Sequence, residues 1–305
     1  MGMTFKEIVK NPALLFLTLG HREYFNWMDD KTYLRIAYRI KMGKKLNLDN
    51  PKSFGEKLQW LKLYNRKPEY TQLVDKYEVK KIVADIIGEE YIIPTLGVWD
   101  RFEEIDFDSL PNQFVLKCTH DSGGLVICRD KSKIDIKKAQ NKIKRCLNHS
   151  YYWGTREWPY KNVPRRIIAE KFIELQPSVK DLPDYKWYCF NGEPKYCQVI
   201  QDRNSDETID FFDTEWNRQS FIGLNPKASH AANVPNRPEK LETHIEIARL
   251  LSKNMPYARV DLYDVGGKIY FGEITLFPGS GFGVFKPDEW NKKIGGWIDL
   301  SNVKK

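Results

Sequence analysis

Three observations predict an α+β fold for this 305-residue chain. Through roughly the first 90 residues, apolar positions recur among Lys, Arg and Glu as they do in helices. From Tyr91 the texture changes to short runs rich in β-branched and aromatic residues. Those runs are joined by hairpins more than by regular strand–helix alternation, which favours α+β over a doubly wound parallel sheet.

In the helical region Leu34, Ile36, Tyr38 and Ile40 form one apolar set, and Leu58, Trp60, Leu61 and Leu63 a second. Ser53, with Glu56 three residues later, reads as a capping box that starts the second run. Strands are expected at FVLKC (114–118), LVICR (125–129), RIIAEKFI (166–173) and YKWYCF (185–190). Four more follow at YCQVIQ (196–201), IDFFD (209–213), ARVDLYDV (258–265) and IYFGEITLF (269–277). One helix is expected over about 135–149. Another follows Pro238, where Leu241, Ile245, Ala248 and Leu251 recur at helical spacing. The chain has no internal repeat and no low-complexity segment.

A hydrophobic content of 41% with 13% aromatics describes a globular chain, long enough for more than one core. Lys and Arg outnumber Asp and Glu 49 to 41, a net charge of +8 that favours anionic partners without choosing among them. Aromatics do not interleave with basic residues as in nucleic-acid motifs, so nucleic acid is not an expected partner. Cys118, Cys128, Cys146, Cys189 and Cys197 form no CxxC pair, and free thiols in a reducing cytoplasm are expected. The apolar run Ala13–Leu19 is too short to span a bilayer and lacks a cleavage site, so no secretion signal or transmembrane helix is expected. Peripheral membrane docking of this start is the remaining membrane role.

The chemistry concentrates near the C-terminus. ARVDLYDV and IYFGEITLF flank Gly266-Gly267, a hairpin turn signal. Val260, Leu262, Ile274 and Leu276 should share the buried face. That requires an odd loop, for example three residues centred on Gly267 with a glycine in the left-handed conformation. Asp261 then falls opposite Glu273, with Arg259 and Thr275 on the same face. Neighbouring cross-strand carboxylates repel. A divalent cation removes that cost, and Mg²⁺ prefers one or two protein carboxylates plus phosphates. An ordinary solvent-exposed hairpin face is the alternative. Pro278-Gly279-Ser280-Gly281-Phe282-Gly283 follows, a loop that could let a substrate approach the backbone closely.

Lys117 lies inside an apolar strand, where it is either on a solvated face or aimed at an anion. His120 to Gly124 (HDSGG) follows at once and a strand resumes at Leu125, which suggests a flap whose N–H groups could serve phosphates. No Gly-Lys-Ser/Thr precedes a helix, so it is not a P-loop. His120 reads as a hydrogen-bonding loop residue before a base. Lys186 is a second lysine in an apolar strand. Neither a nucleophile elbow nor metal-ligand histidine spacing is present.

In this order, FVLKCTHDSGG, RIIAEKFIE, DYKWYCFNGEPKYCQVIQDR, RVDLYDVGGKIYFGEIT and FPGSGFG resemble the TupA-like ATP-grasp family, whose members occur among bacterial capsule and exopolysaccharide genes. The resemblance runs from about Asp75 to the C-terminus, through IGEEYIIPTLGVWD. It implies an ATP-grasp fold, two α+β subdomains gripping ATP, with an extra N-terminal helical region. The corresponding divisions are a helical region at 1–70, N-terminal and flap subdomains at 71–165, and a C-terminal subdomain with the Mg-ATP site at 166–305.

The resemblance also implies roles. Lys117 and Lys186 contact nucleotide phosphates. His120, Ser122, Gly123 and Gly124 belong to the flap. Glu170, Lys171, Phe172 and Ile173 match the strand whose backbone holds adenine. Asp261 and Glu273 match the Mg²⁺-binding acids. Thr275 stands where an Asn often supplies a third metal ligand. Arg259 and Arg203 face the transferred phosphate or an acidic substrate, so Arg259, Arg203 and Lys186 are the catalytic candidates. ATP and Mg²⁺ are the implied cofactors.

The implied activity is an ATP-dependent carboxylate–amine ligase working through an acyl phosphate. The expected partners are a small-molecule or glycan carboxylate and an amine such as an amino acid, in bacterial surface polysaccharide biosynthesis. Expected localisation is cytoplasmic, and residues 1–70 are expected either to cap the acceptor side or to associate peripherally with a membrane-bound polysaccharide assembly. The alternatives are an ATP-grasp kinase, a glycosyltransferase of a polysaccharide locus and a non-enzymatic binding module. Against a glycosyltransferase, Asp184, Asp202 and Asp213 sit in no DxD pair, and Asp106 and Asp108 follow no apolar strand.

Overall fold

A computed structural model describes residues 13–121, 123–174, 182, 184–201, 207–225 and 228–303. Ser122 and Arg203, both expected at the site, lie outside the described residues. In chain order the helices are α1 (Ala13–His21), α2 (Asp30–Met42), α3 (Phe54–Tyr64), α4 (Glu69–Val74) and α5 (Glu78–Ile87). They continue with α6 (Ile136–Leu147), α7 (Tyr151–Thr155), α8 (Leu241–Ser252) and α9 (Glu289–Gly296). The strands are β1 (Thr95–Trp99), β2 (Phe114–Cys118), β3 (Leu125–Cys128), β4 (Ile167–Lys171), β5 (Asp184–Phe190) and β6 (Glu193–Gln201). Then come β7 (Thr208–Phe212), β8 (Ile222–Gly223), β9 (Tyr257–Val265), β10 (Lys268–Thr275) and β11 (Phe285–Lys286). No helix among the described residues is long and apolar enough to cross a membrane.

The chain divides into two compact units. One comprises Met1–Lys44, Arg66–Ile82 and Ile93–Glu174; the other comprises Lys45–Asn65, Val83–Ile92 and Leu175–Lys305.

The first unit holds a four-stranded sheet in the order β1-β4-β2-β3, antiparallel throughout. Alternation along β2 sends Phe114, Leu116 and Cys118 to one face, where they join Ile167 and Ala169 of β4 and Ala139 and Ile143 of α6 in a common core. Burying a side chain such as Phe114 or Leu116 stabilises the fold by about 1.5–3 kcal/mol. Asp135 caps α6 by accepting from the Lys138 amide at 2.9 Å. The same alternation leaves Val115 and Lys117 of β2, with Glu170 of β4 paired to Val115, on the opposite face.

The second unit is built on a five-stranded antiparallel sheet, β10-β9-β5-β6-β7. Leu241, Ile245, Ala248 and Leu251, the predicted stripe of α8, are all buried. They cover one face, where His244 of α8 meets Trp187 of β5. The predicted capping box of α3 is present, with Ser53 and Glu56 exchanging side chain and backbone bonds. Phe54, at the start of α3, packs edge-on against Tyr257 and Phe285 at centroid distances of 5.1 and 5.4 Å.

Three strands escaped the sequence pattern. β8 and β11 are two residues each and, among the described residues, pair with one another. β1 carries Gly97 with no alternation in burial; a Cβ there would lie 2.3 Å from the Trp99 ring. Conversely, β4 ends at Lys171, so Phe172 and Ile173, read as strand, fall outside it.

The β9–β10 hairpin corrects one expectation. The turn is not a three-residue loop: Val265 pairs with Lys268, and Gly266 (φ 59) and Gly267 (φ 76) form a two-residue turn. An even loop alone would send Asp261 and Glu273 to opposite faces. A register shift between Phe271 and Glu273 restores the parity, so Glu273 faces Asp261 and Thr275 faces Arg259. The residue skipped is Gly272, where a Cβ would sit 3.0 Å from the Asp261 carbonyl oxygen and 3.2 Å from the Tyr263 ring.

Candidate functional site

In the second unit, three neighbouring strands place charged residues in one row. Lys186 of β5 pairs with Asp261 of β9, which pairs with Glu273 of β10. Asp261 is only 2% exposed. Its Oδ1 accepts from Arg259 Nε at 2.6 Å, and its Oδ2 accepts from Arg259 Nη2 at 2.7 Å and from Lys186 Nζ. Arg259 Nη2 also reaches Glu273 Oε1 at 2.9 Å and Thr275 Oγ1 at 3.0 Å, while the Thr275 hydroxyl donates to Glu273 Oε1 at 3.0 Å. Lys186 Nζ pairs in addition with Asp184 at 2.7 Å.

The expected repulsion between Asp261 and Glu273 is thus met from within the chain, because one guanidinium bridges both. Burial alone pushes the Asp261 carboxyl up, and Arg259 and Lys186 more than reverse this, holding it below the ordinary carboxylate range. Burial likewise opposes the charge on Arg259, but Asp261 overcomes it and raises the guanidinium well above its usual value. Buried Asp261 is not the ordinary solvent-exposed hairpin residue of the alternative reading.

These residues suit a hard cation. Asp261, Glu273 and Thr275 offer only oxygen donors, as Mg²⁺ requires. Three carboxylates (Asp184, Asp261, Glu273) against two cations (Lys186, Arg259) leave one net negative charge. The Glu273 side chain is 44% exposed and open to a ligand. Thr275, already donor to one group and acceptor from another, is less so.

The first unit has a cluster of the opposite sign. Glu170, 5% exposed, lies between Lys117 and Lys80, each 2.5 Å from one of its carboxylate oxygens. Lys80 Nζ also donates to the Ile93 carbonyl at 2.7 Å. Burial raises the Glu170 carboxyl, but Lys117 and Lys80 dominate and bring it below its ordinary value. Burial lowers Lys80 despite Glu170. Two cations around one acid leave a net positive charge. Lys117 is therefore aimed at an anion, and that anion is Glu170.

Around the first glycine loop, His120 is buried. Its Nε2 lies 3.1 Å from the Cys146 carbonyl and 3.2 Å from that of His149. Two acceptors there call for an N–H on Nε2, and burial keeps the ring pKa low, so His120 is a neutral, fixed hydrogen-bonding residue. Gly124 donates its N–H to Asp121 Oδ1 at 3.1 Å, which commits one of the donors expected to serve a phosphate. Gly123 is exposed. Lys171 is exposed at the end of β4, and the Arg129 guanidinium lies 5.2 Å from the Phe172 ring.

The second glycine loop holds three successive left-handed residues, Gly279 (φ 57), Ser280 (φ 54) and Gly281 (φ 67). Helix α3 fixes them. Gln59 Nε2 donates to the carbonyls of Ser280 and Gly281 at 3.0 and 2.9 Å, and Lys62 Nζ donates to that of Ser280 at 2.8 Å.

Sequence reasoning missed Lys80, Asp184, Gln59 and Lys62. The last two carried a signal, since polar residues interrupt the apolar run LQWLKL. Lys80 carried none, because it gains its role from Glu170 on a distant segment; Asp184 stands two residues before Lys186 on β5, a spacing that puts both on one face of the strand. Asp106 and Asp108 form an exposed turn, the Asp108 amide donating to Asp106 Oδ1 at 3.0 Å.

A family model described as TupA-like ATPgrasp matches residues 56–299, well over half of the chain. Among solved structures, a D-alanine–D-alanine ligase from Bacillus anthracis complexed with ATP is 20% identical, with a TM-score of 0.38, covering 68% of this chain and 54% of that one. The ATP-grasp ligase PsnB, complexed with minimal precursor, Mg and ADP, is 12% identical, with a TM-score of 0.38 and coverage of 83% and 63%. The ADP complex of purK, N5-carboxyaminoimidazole ribonucleotide synthetase, is 13% identical, with a TM-score of 0.43 and coverage of 73% and 50%. The chain thus spans less than two thirds of each of these structures. No curated protein matches the sequence.

Proposed function

The chain belongs to the TupA-like ATP-grasp family and has the ATP-grasp fold, and from that premise we propose that it is an ATP-dependent carboxylate–amine ligase. The carrying observation is the row Lys186–Asp261–Glu273, with Arg259 forked across both acids. In this reading Asp261 and Glu273 hold Mg²⁺, with the Thr275 oxygen beside Glu273. Bound there, Mg²⁺ neutralises the charge of the nucleotide phosphates.

The chain's own residues do the rest. Lys186 contacts the phosphates; Lys117, paired to Glu170 in the first unit, is the second lysine for which the resemblance implies that role. Arg259, whose planar fork suits a carboxylate or phosphate, orients the acceptor carboxylate and stabilises charge on the transferring phosphoryl group. The carboxylate attacks the terminal phosphorus of ATP, giving an acyl phosphate and ADP. An amine then attacks the acyl carbon, phosphate leaves and an amide forms. No side-chain nucleophile is required, in keeping with the absence of a nucleophile motif. The substrates in this reading are an amino acid and a carboxylated sugar or polymer of the bacterial surface.

The test is ADP release with Mg²⁺, screened against amino acids and uronic-acid sugars, followed by product mass. Amide formation by wild type, lost in Glu273→Ala, supports the reading. Full turnover in Glu273→Ala refutes the metal assignment, and phosphate retained on the acceptor identifies a kinase instead.

A further inference from the structure

Within the first unit, a second group of ligand-type side chains lies apart from the Lys117–Glu170–Lys80 cluster. Cys118 ends β2, Asp121 follows in the first glycine loop, and Cys146 lies in the last turn of α6. One ligand atom from each, two sulfurs and a carboxylate oxygen, lies within 4.8 Å of the other two. All five cysteines are free thiols.

Three features shape this point for a ligand. Gly124 keeps the space between the cysteines open: a Cβ there would come 2.8 Å from Cys118 Sγ and 3.0 Å from Cys146 Cβ. The Gly124 N–H fixes the Asp121 carboxylate through Oδ1, leaving Oδ2 as the other donor. Access differs among the ligands, since Cys118 is fully buried while Cys146 is half-buried at the helix end.

We propose that Cys118, Cys146 and Asp121 form a site for a thiophilic divalent ion of the Zn²⁺ class, which ties the first glycine loop to the end of α6. Two thiolates and one carboxylate make three protein ligands, and water completes a tetrahedron. Binding releases the two thiol protons, because only thiolates ligate. Lys76 donates to the Asp121 carbonyl oxygen and leaves its carboxylate available.

Co²⁺ titration under a phosphine reductant tests the site, because thiolate ligation gives an intense near-ultraviolet charge-transfer band. The expected result is one equivalent per chain, loss of the band in Cys146→Ser, and affinity weaker by about tenfold or more in Asp121→Asn. Competition by Zn²⁺ should abolish the band in wild type. No thiolate band at stoichiometric Co²⁺, or an unchanged band in the Cys118→Ser/Cys146→Ser double variant, overturns the site. Unchanged affinity in Asp121→Asn overturns the three-ligand assignment. Circular dichroism of Cys146→Ser checks that loss of the band is not loss of fold.

Discussion

The Arg259 guanidinium contacts both the Asp261 and Glu273 carboxylates and the Thr275 hydroxyl. Replacement by Lys keeps the charge but not the fork, so Arg259→Lys should fold and lose about 100-fold in kcat. A turnover assay with near-wild-type kcat would show that charge alone suffices. Glu170 holds two lysines from a buried position, and Glu170→Gln leaves them facing each other across a neutral amide. The expected cost is about 3 kcal/mol, read from urea denaturation. His120 predicts a pH dependence. Its folded pKa lies below the ordinary 6.5, so the unfolded chain takes up a proton first as pH falls. Its contribution to stability is complete above about pH 6.5 and declines as pH drops toward the folded value. Denaturation at pH 7.5 and 5.5 should show this loss, reduced in His120→Gln, which keeps a donor for the Cys146 and His149 carbonyls. Equal losses in both proteins would remove His120 as the cause.

At the scale of elements, the β9–β10 hairpin shows how parity is set. A two-residue turn and a one-residue bulge together do what an odd loop does, and both depend on glycine for different reasons. Gly266 and Gly267 supply positive φ, whereas Gly272 supplies room against the Asp261 carbonyl. Gly272→Ala should therefore cost about 1–3 kcal/mol by overpacking. Because the bulge sets the acid pair, it should also weaken ATP turnover beyond the loss expected from unfolding. Unchanged stability and turnover would show that the bulge tolerates a Cβ. Helix α3 is the other instructive element. Its capping box was legible from Ser53 and Glu56, but not its task of holding the left-handed residues of the second glycine loop through Gln59 and Lys62.

For the whole molecule, the charge clusters have opposite signs: Lys117 and Lys80 around Glu170, and Asp184, Asp261 and Glu273 around Lys186 and Arg259. Mg-ATP binding only to the folded chain stabilises it by about 2.7 kcal/mol at 100 times Kd. The Tm should rise with Mg-ATP, and the rise should shrink in both Lys117→Ala and Glu273→Ala. A shift in either variant equal to wild type would remove that residue from nucleotide binding.

Periodicity sufficed for α8, whose Leu241, Ile245, Ala248 and Leu251 are all buried, and for β2, whose alternation sends Lys117 to the face opposite Phe114 and Leu116. It also sufficed to place Asp261 and Glu273 on one face, since apolar Val260 and Ile274 must share the other. These are local matters of which way successive side chains point. Only the tertiary structure decided that Arg259 spans the acid pair, that Glu170 neutralises Lys117 with Lys80, and that Cys118, Asp121 and Cys146 converge. Glu170 meets its two lysines from segments far apart in the chain, and Cys146 meets Cys118 and Asp121 from another helix; Arg259 is close in sequence to both acids, but its reach to each is set by side-chain conformation, which period and spacing do not encode.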